Sequence, residues 1–149
     1  MMKRSILSLV AFSAVATMSL AACSLRDRVI EVTALPATAQ QLLQKEFSGK
    51  TISFVKAERD GFSLDYDVVF SDGMAVEFDS RGEWREVNAR QTEVPAGLVP
   101  QPIAQYVKQH YPETTIRHIE RHRKGVEVDL SNGLEIEFDK QYRVRDIDD

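Results

Sequence analysis

Carboxylates dominate the residues of this chain that have chemistry to offer, and they recur at every second position. Asp65 and Asp67, Glu77, Glu127 and Asp129, and Glu135 and Glu137 alternate with apolar neighbours. Extended backbone presents alternate residues on one face, so these seven are expected to share the outer side of a sheet as a candidate binding face. Their oxygens suit a cationic segment of a partner or a divalent ion. A regular array lacks the convergence on one point that general acid–base chemistry needs. His118 and His122 have the spacing of a helical zinc pair, yet Ile116 to Arg121 reads as a strand, along which His118 and His122 span roughly 13 Å. That separation assigns them no metal and predicts a solvated edge. No cofactor is expected either. Gly-x-Ser-x-Gly and glycine-rich phosphate loops do not occur, so the chain reads as a non-enzyme.

The sole cysteine, Cys23, follows Leu20-Ala21-Ala22, and Lys3 and Arg4 precede an apolar run from Ile6 to Leu20. This layout is that of a secretory signal, and a branched apolar residue and small residues before a cysteine resemble the bacterial lipobox. In lipoproteins the cysteine becomes the acylated N-terminus, which makes residues 1–22 the signal peptide and Cys23 the lipidation site. Acyl chains contribute about 0.8 kcal/mol per buried methylene, enough for several of them to hold a protein on a bilayer. Residues 23–34 then read as a tether. The expected location is the cell envelope, with the chain lipid-anchored to a bacterial membrane and facing the periplasm or exterior. With one thiol there is no internal disulfide, so the fold must be held by its core. Without Lys3 and Arg4, 17 basic residues face 23 acidic ones, a net charge of −6. Nucleic acid is excluded as a ligand on that balance, and a basic envelope protein or peptide is favoured.

The carboxylates are positioned by a unit that the chain spells twice. Pro36, Gln41, Phe47, Thr51 and Ile52 match Pro100, Gln105, Tyr111, Thr115 and Ile116 at a shift of 64, while Ser71-Asp72-Gly73 and Glu77-Phe78-Asp79 match Ser131-Asn132-Gly133 and Glu137-Phe138-Asp139 at a shift of 60. Ala39, Leu42, Leu43 and Phe47, like Ile103, Tyr106, Val107 and Tyr111, recur at helical spacing. Leu64, Tyr66, Val68 and Phe70, then Met74, Val76 and Phe78, alternate as strands do, and Val126, Val128, Leu130, Leu134, Ile136 and Phe138 repeat the pattern. Keeping both apolar sets on one face requires Leu130 opposite Leu134, with Gly133 left-handed in a three-residue loop. Phe54 to Glu58, Trp84 to Val87, Ile116 to Arg121 and Val144 to Ile147 supply flanking strands. The expected fold class is α+β, two tandem repeats over 35–92 and 93–149, each a helix packed on one face of a four-stranded antiparallel sheet.

That register sets Asp129 against Glu135, Glu127 against Glu137, Asp67 against Glu77 and Asp65 against Asp79. Like charges opposed across strands destabilise by a few tenths to about 1 kcal/mol a pair. Arg85, Arg143 or Arg145 on the next strand is expected to offset this. Trp84 and Tyr66 are expected to fill the core under the helix.

A helix opened by Leu35-Pro36 and closed after Phe47, followed by a hairpin with Ser71-Asp72-Gly73 and Glu77-Phe78-Asp79 before Trp84, resembles the PepSY-like family of beta-lactamase-inhibitor-like proteins. The resemblance covers nearly all of 35–147. It implies exported proteins, often lipoproteins with tandem copies, whose helices pack on one side of a curved antiparallel sheet. For function it implies little beyond a family link to the restraint of peptidases, and no inhibitory loop residue carries onto this chain. The function expected from the whole reading is protein or peptide binding through a sheet face. The alternative is divalent-metal binding or stress buffering by the acidic face.

Overall fold

Antiparallel strands rich in β-branched residues bury one face and leave unpaired N–H and C=O groups along each outer edge, so strands add laterally until something ends the sheet. The computed structural model describes residues 27–149. Residues 1–22, read above as a signal peptide, and Cys23 lie outside the described residues. In chain order the elements are β1 (Asp27–Ile30), α1 (Ala37–Glu46), β2 (Ile52–Asp60), β3 (Ser63–Phe70), β4 (Ala75–Phe78) and β5 (Trp84–Asn88). These are followed by α2 (Gln101–His110), β6 (Ile116–His122), β7 (Gly125–Leu130), β8 (Glu135–Asp139) and β9 (Val144–Asp148).

All nine strands form one antiparallel sheet in sequence order. This corrects the expectation of two tandem helix-plus-four-stranded repeats. The strands that would have edged two separate sheets, β5 and β6, pair with each other through Glu86 and Glu120, Val87 and Ile119, and Asn88 and His118. Joining them satisfies two rows of backbone groups that separate sheets would expose. A ninth strand comes from the stretch read as a tether, where Asp27–Ile30 pairs with Val55 to Glu58.

A single row of apolar residues runs across the entire sheet. Ile30, Val55, Val68, Val76, Val87, Ile119, Val128, Ile136 and Ile147 are successive cross-strand partners. The seven inner members are almost wholly buried. Both helices lie on that face. Ala39, Leu43, Phe47, Ile103 and Val107 are buried in the same cluster as the strand residues. Phe47 stacks on Phe70 at 5.2 Å between ring centroids, and Tyr106 meets Phe138 edge-on at 5.6 Å. Trp84 and Tyr66 are buried there too. The turn between β4 and β5 comes so near α1 that a Cβ on Gly82 would stand 2.8 Å from Pro36 Cβ and 2.9 Å from Ala39 N. Gly82 also has φ +81°, which favours glycine twice over.

The two three-residue hairpin loops have the expected geometry. Leu130 N–H donates to Leu134 O at 2.8 Å and Phe70 N–H to Met74 O at 2.9 Å. Gly73 and Gly133 are left-handed at φ +86° and +93°. Fully buried polar side chains are absent among the described residues, so the core is held by apolar packing. Ile136→Ala in the middle of the row is expected to lower stability by about 2–5 kcal/mol, and Ile147→Ala at its exposed end by less than half as much. Urea denaturation of the two variants checks this gradient, and equal losses would contradict the continuous row.

Candidate functional site

The helices cover one face of the sheet, and most of the charged strand residues occupy the other. Next to the apolar row, Asp67, Glu77, Glu86, Glu120, Glu127, Glu137 and Asp146 are successive cross-strand partners on seven neighbouring strands. With strands about 4.8 Å apart, that row is about 29 Å long. A second row carries Asn88, His118, Asp129, Glu135 and Asp148. Of the seven candidate residues, Asp67, Glu77, Glu127 and Glu137 lie in the first row and Asp129 and Glu135 in the second. Asp65 stands further along β3, paired with Glu58. Asp79 does not oppose it, since β4 ends at Phe78 and the Asp79 carboxylate instead accepts from the backbone N–H of Arg81 and Glu83 at 2.9 and 3.0 Å.

Glu86 and Asp146 escaped the sequence reading, and Glu120, which alternation sets on one face with His118 and His122, was not joined to the acidic face, because the neighbours of all three in the row are set by the β5–β6 pairing and by bulges. Alternation within Glu86-Val87-Asn88 and Glu120-Arg121-His122 was the available signal. His118 and His122 are not on a solvated edge as expected. Strand β6 is interior, and both imidazoles sit among carboxylates: His118 Nε2 lies 3.0 Å from Glu86 Oε1 and Nδ1 3.3 Å from Asp129 Oδ2, while His122 lies 3.3 Å from Glu120 and 3.4 Å from Glu127.

Two β-bulges bring arginine to this face. Glu77 pairs with Glu86 but Phe78 with Trp84, leaving Arg85 extra, and Glu137 pairs with Asp146 but Phe138 with Val144, leaving Arg145 extra. A bulge re-aims the residue it inserts. Arg85 lies 3.7 Å from Asp65 and 3.8 Å from Glu77, and Arg145 lies 3.4 Å from Glu137. Arg143 does not join them. It pairs with Asp139 at 2.7 Å in its own turn. Lys56 holds Asp27 and Glu58 at the other end of the face. Asp67 and Glu135 have no ion-pair partner among the described residues. On the β1 to β4 half, the same face carries an apolar patch, with Val29 beside Lys56 and Phe54, Val69 and Ala75 in one cross-strand row. Phe54 is 43% exposed and Val29 70%.

Crowding shows in the proton equilibria. Burial pushes the Asp67 carboxyl above its ordinary value, with the Glu58 charge adding to it. Burial does the same at Glu77, where Arg85 opposes it. Glu135 is raised first by the charge of Glu127 and then by burial. The turn aspartates behave oppositely. Asp139 is lowered by the Arg143 backbone N–H and Asp72 by Lys50. At Asp79 burial works against the charge but is outweighed by the backbone N–H of Glu83 and Arg81.

A carboxyl raised in the fold binds its proton more readily there than in the unfolded chain, so its charge destabilises at neutral pH. That deficit is relieved as pH falls from the raised value toward the ordinary one near 4. Asp67→Asn is therefore expected to stabilise by a few tenths to about 1 kcal/mol at pH 7 and to lose the advantage near pH 4. Urea midpoints at both pH values measure this. A difference that stays constant would mean that burying the Asp67 charge beside Glu58 costs nothing. Below pH 4 the turn aspartates protonate in turn, and the stability that their lowered values confer is lost.

The fold of the chain is similar to several solved structures. A crystal structure described as a "putative periplasmic protein from DUF2874 family" from Bacteroides vulgatus ATCC 8482 is 42% identical, with TM-score 0.81, covering 85% of this chain and 99% of its own. A "putative calcium-regulated periplasmic protein" from Bacteroides thetaiotaomicron is 40% identical, with TM-score 0.81, covering 83% and 97%. A third, from Bacteroides vulgatus ATCC 8482, is a "putative periplasmic protein of unknown function" at 38% identity, with TM-score 0.78, covering 83% and 99%. No curated protein matches the chain. These neighbours support a periplasmic location, and neither they nor the matched family carries a catalytic description. The family whose profile matches residues 64–146 is described as "Putative beta-lactamase-inhibitor-like, PepSY-like". More than half of the chain lies in that match, and the chain belongs to the PepSY-like, beta-lactamase-inhibitor-like family.

Proposed function

We propose that this periplasmic protein is a non-catalytic, lipid-anchored binding module whose helix-free sheet face engages a cationic segment of an envelope protein or peptide. The observation that carries the reading is the row of seven carboxylates on adjacent strands. Arg85 and Arg145 offset only part of it. An incoming lysine or arginine would relieve the repulsion among the remainder and form charge-assisted hydrogen bonds. The apolar patch of Val29, Phe54, Val69 and Ala75 gives such a segment an anchor, so the fitting partner combines basic residues with one or two large apolar ones. Inhibition of an envelope enzyme is a special case of this role, read out by assaying a peptidase or beta-lactamase directly.

Site-specific photocrosslinking in cells tests the reading. A crosslinker at Glu127 on the open face is expected to trap one partner, while one at Gln41, exposed on α1, is not. Glu135→Lys with Glu137→Lys should reduce the Glu127 adduct several-fold. Trapping from Gln41 alone, or none from Glu127, would remove the open face from consideration. The lipid anchor has its own check. Cys23→Ser is expected to move the protein from the membrane fraction to the periplasmic fraction, and continued membrane association would exclude acylation at Cys23 as the tether.

A second reading, divalent-cation binding or stress buffering, is favoured by one cluster. Glu127, Glu135 and Glu137 each bring a carboxylate oxygen within 4.8 Å of the others, and calcium takes oxygen ligands. The Bacteroides thetaiotaomicron relative, described as calcium-regulated, agrees with it. Calorimetry with calcium chloride separates this reading from the first, because micromolar binding lost in Glu135→Gln would favour the ion.

A further inference from the structure

His118 sits on the open face at the middle of the sheet with both ring nitrogens against carboxylates. Nε2 is 3.0 Å from Glu86 Oε1 on β5, and Nδ1 is 3.3 Å from Asp129 Oδ2 on β7. An ionised carboxylate only accepts hydrogen bonds, so the proton of a neutral imidazole belongs on Nε2, donated to Glu86. Nδ1 then carries a lone pair 3.3 Å from a second acceptor, Asp129 Oδ2. Neither Nδ1 nor Asp129 Oδ1 makes a hydrogen bond among the described residues, although both atoms are buried. The side chain as a whole is 15% exposed, which leaves little water to separate the two groups. Two acceptors this close are relieved by a cation beside them, a second proton or a metal ion.

We propose that Nδ1 of His118, with carboxylate oxygens of Asp129 and Glu127, forms a binding site for a borderline transition-metal ion such as Zn²⁺. One ligand atom from each of the three residues lies within 4.8 Å of the others. The 3.3 Å between Nδ1 and Asp129 Oδ2 is close to the edge of a tetrahedron whose ligands stand about 2.0–2.1 Å from one zinc ion. Glu86 takes the outer role. A ligating histidine almost always donates its other ring N–H to a carboxylate or carbonyl, which sets the tautomer and raises ligand basicity. Imidazole selects zinc and its neighbours over calcium, which prefers oxygen. A water completes the fourth position on the open side.

The residues come from two adjacent strands, with Glu86 on a third. The separation of His118 from His122 along β6 therefore does not matter, because His122 is not a ligand. The site stands independently of partner binding and differs from the Glu127, Glu135 and Glu137 cluster in requiring a nitrogen ligand.

Isothermal calorimetry on the protein purified from bacterial envelopes in mild detergent, titrated with zinc chloride alone, tests the site. One zinc ion per chain at micromolar affinity or tighter is expected, undiminished by millimolar calcium chloride. His118→Ala should weaken binding at least tenfold and Glu86→Ala by about 10- to 100-fold, while His122→Ala should leave it unchanged. Circular dichroism melts confirm that each variant is folded, and visible absorption of the cobalt(II) form reports a four-coordinate nitrogen and oxygen site lost in His118→Ala. Absence of zinc binding at high micromolar concentration, displacement by calcium, or wild-type affinity in folded His118→Ala would each overturn the proposal.

Discussion

The structure depends on one continuous line of β-branched side chains, from Ile30 through Val55, Val68, Val76, Val87, Ile119, Val128 and Ile136 to Ile147, that crosses all nine strands. Branched residues pack well on a pleated surface. Burying them beneath two ten-residue helices, too short to be stable alone, holds sheet and helices in one core. Because side chains alternate, the residues flanking each member of that line must point the other way. A row of carboxylates on the uncovered face is then the geometric complement of the apolar row.

That complement is electrostatically strained, and the strain is distributed unevenly. Arg85 and Arg145 enter the face through bulges and relieve Asp65, Glu77 and Glu137, while Asp67 and Glu135 make no ion pair among the described residues and hold their protons more tightly than usual. Repulsion among fixed carboxylates is weaker in salt and water than in isolation, so the fold tolerates it, and a bound cation or cationic side chain gains whatever repulsion it removes.

Bulges on β2 and β6 have a comparable effect. Ile116 and Ile119 are both buried although three positions apart, which strict alternation forbids. The register shift between Ile116 and His118 absorbs the extra residue. It puts His118 on the open face, among Glu86 and Asp129. The equivalent shift between Ile52 and Phe54 on β2 exposes Phe54 instead. One backbone device therefore places an imidazole in one half of the sheet and an exposed phenyl ring in the other.

Much of this was legible in the residues themselves. Alternation in Leu64 to Phe70 and in Val126 to Phe138 dictated which side chains are buried, and Gly73 and Gly133 dictated the loops that pair Asp67 with Glu77 and Glu127 with Glu137. These are local consequences of a two-residue period and of turn chemistry. The number of sheets, the partners of Glu86 and Glu120, the interior position of β6 and the recruitment of Asp27–Ile30 as a strand were decided only by the tertiary structure. Each depends on one open strand edge finding another across a long stretch of chain, and backbone hydrogen bonding between edges carries no signature of residue type that would name its partner.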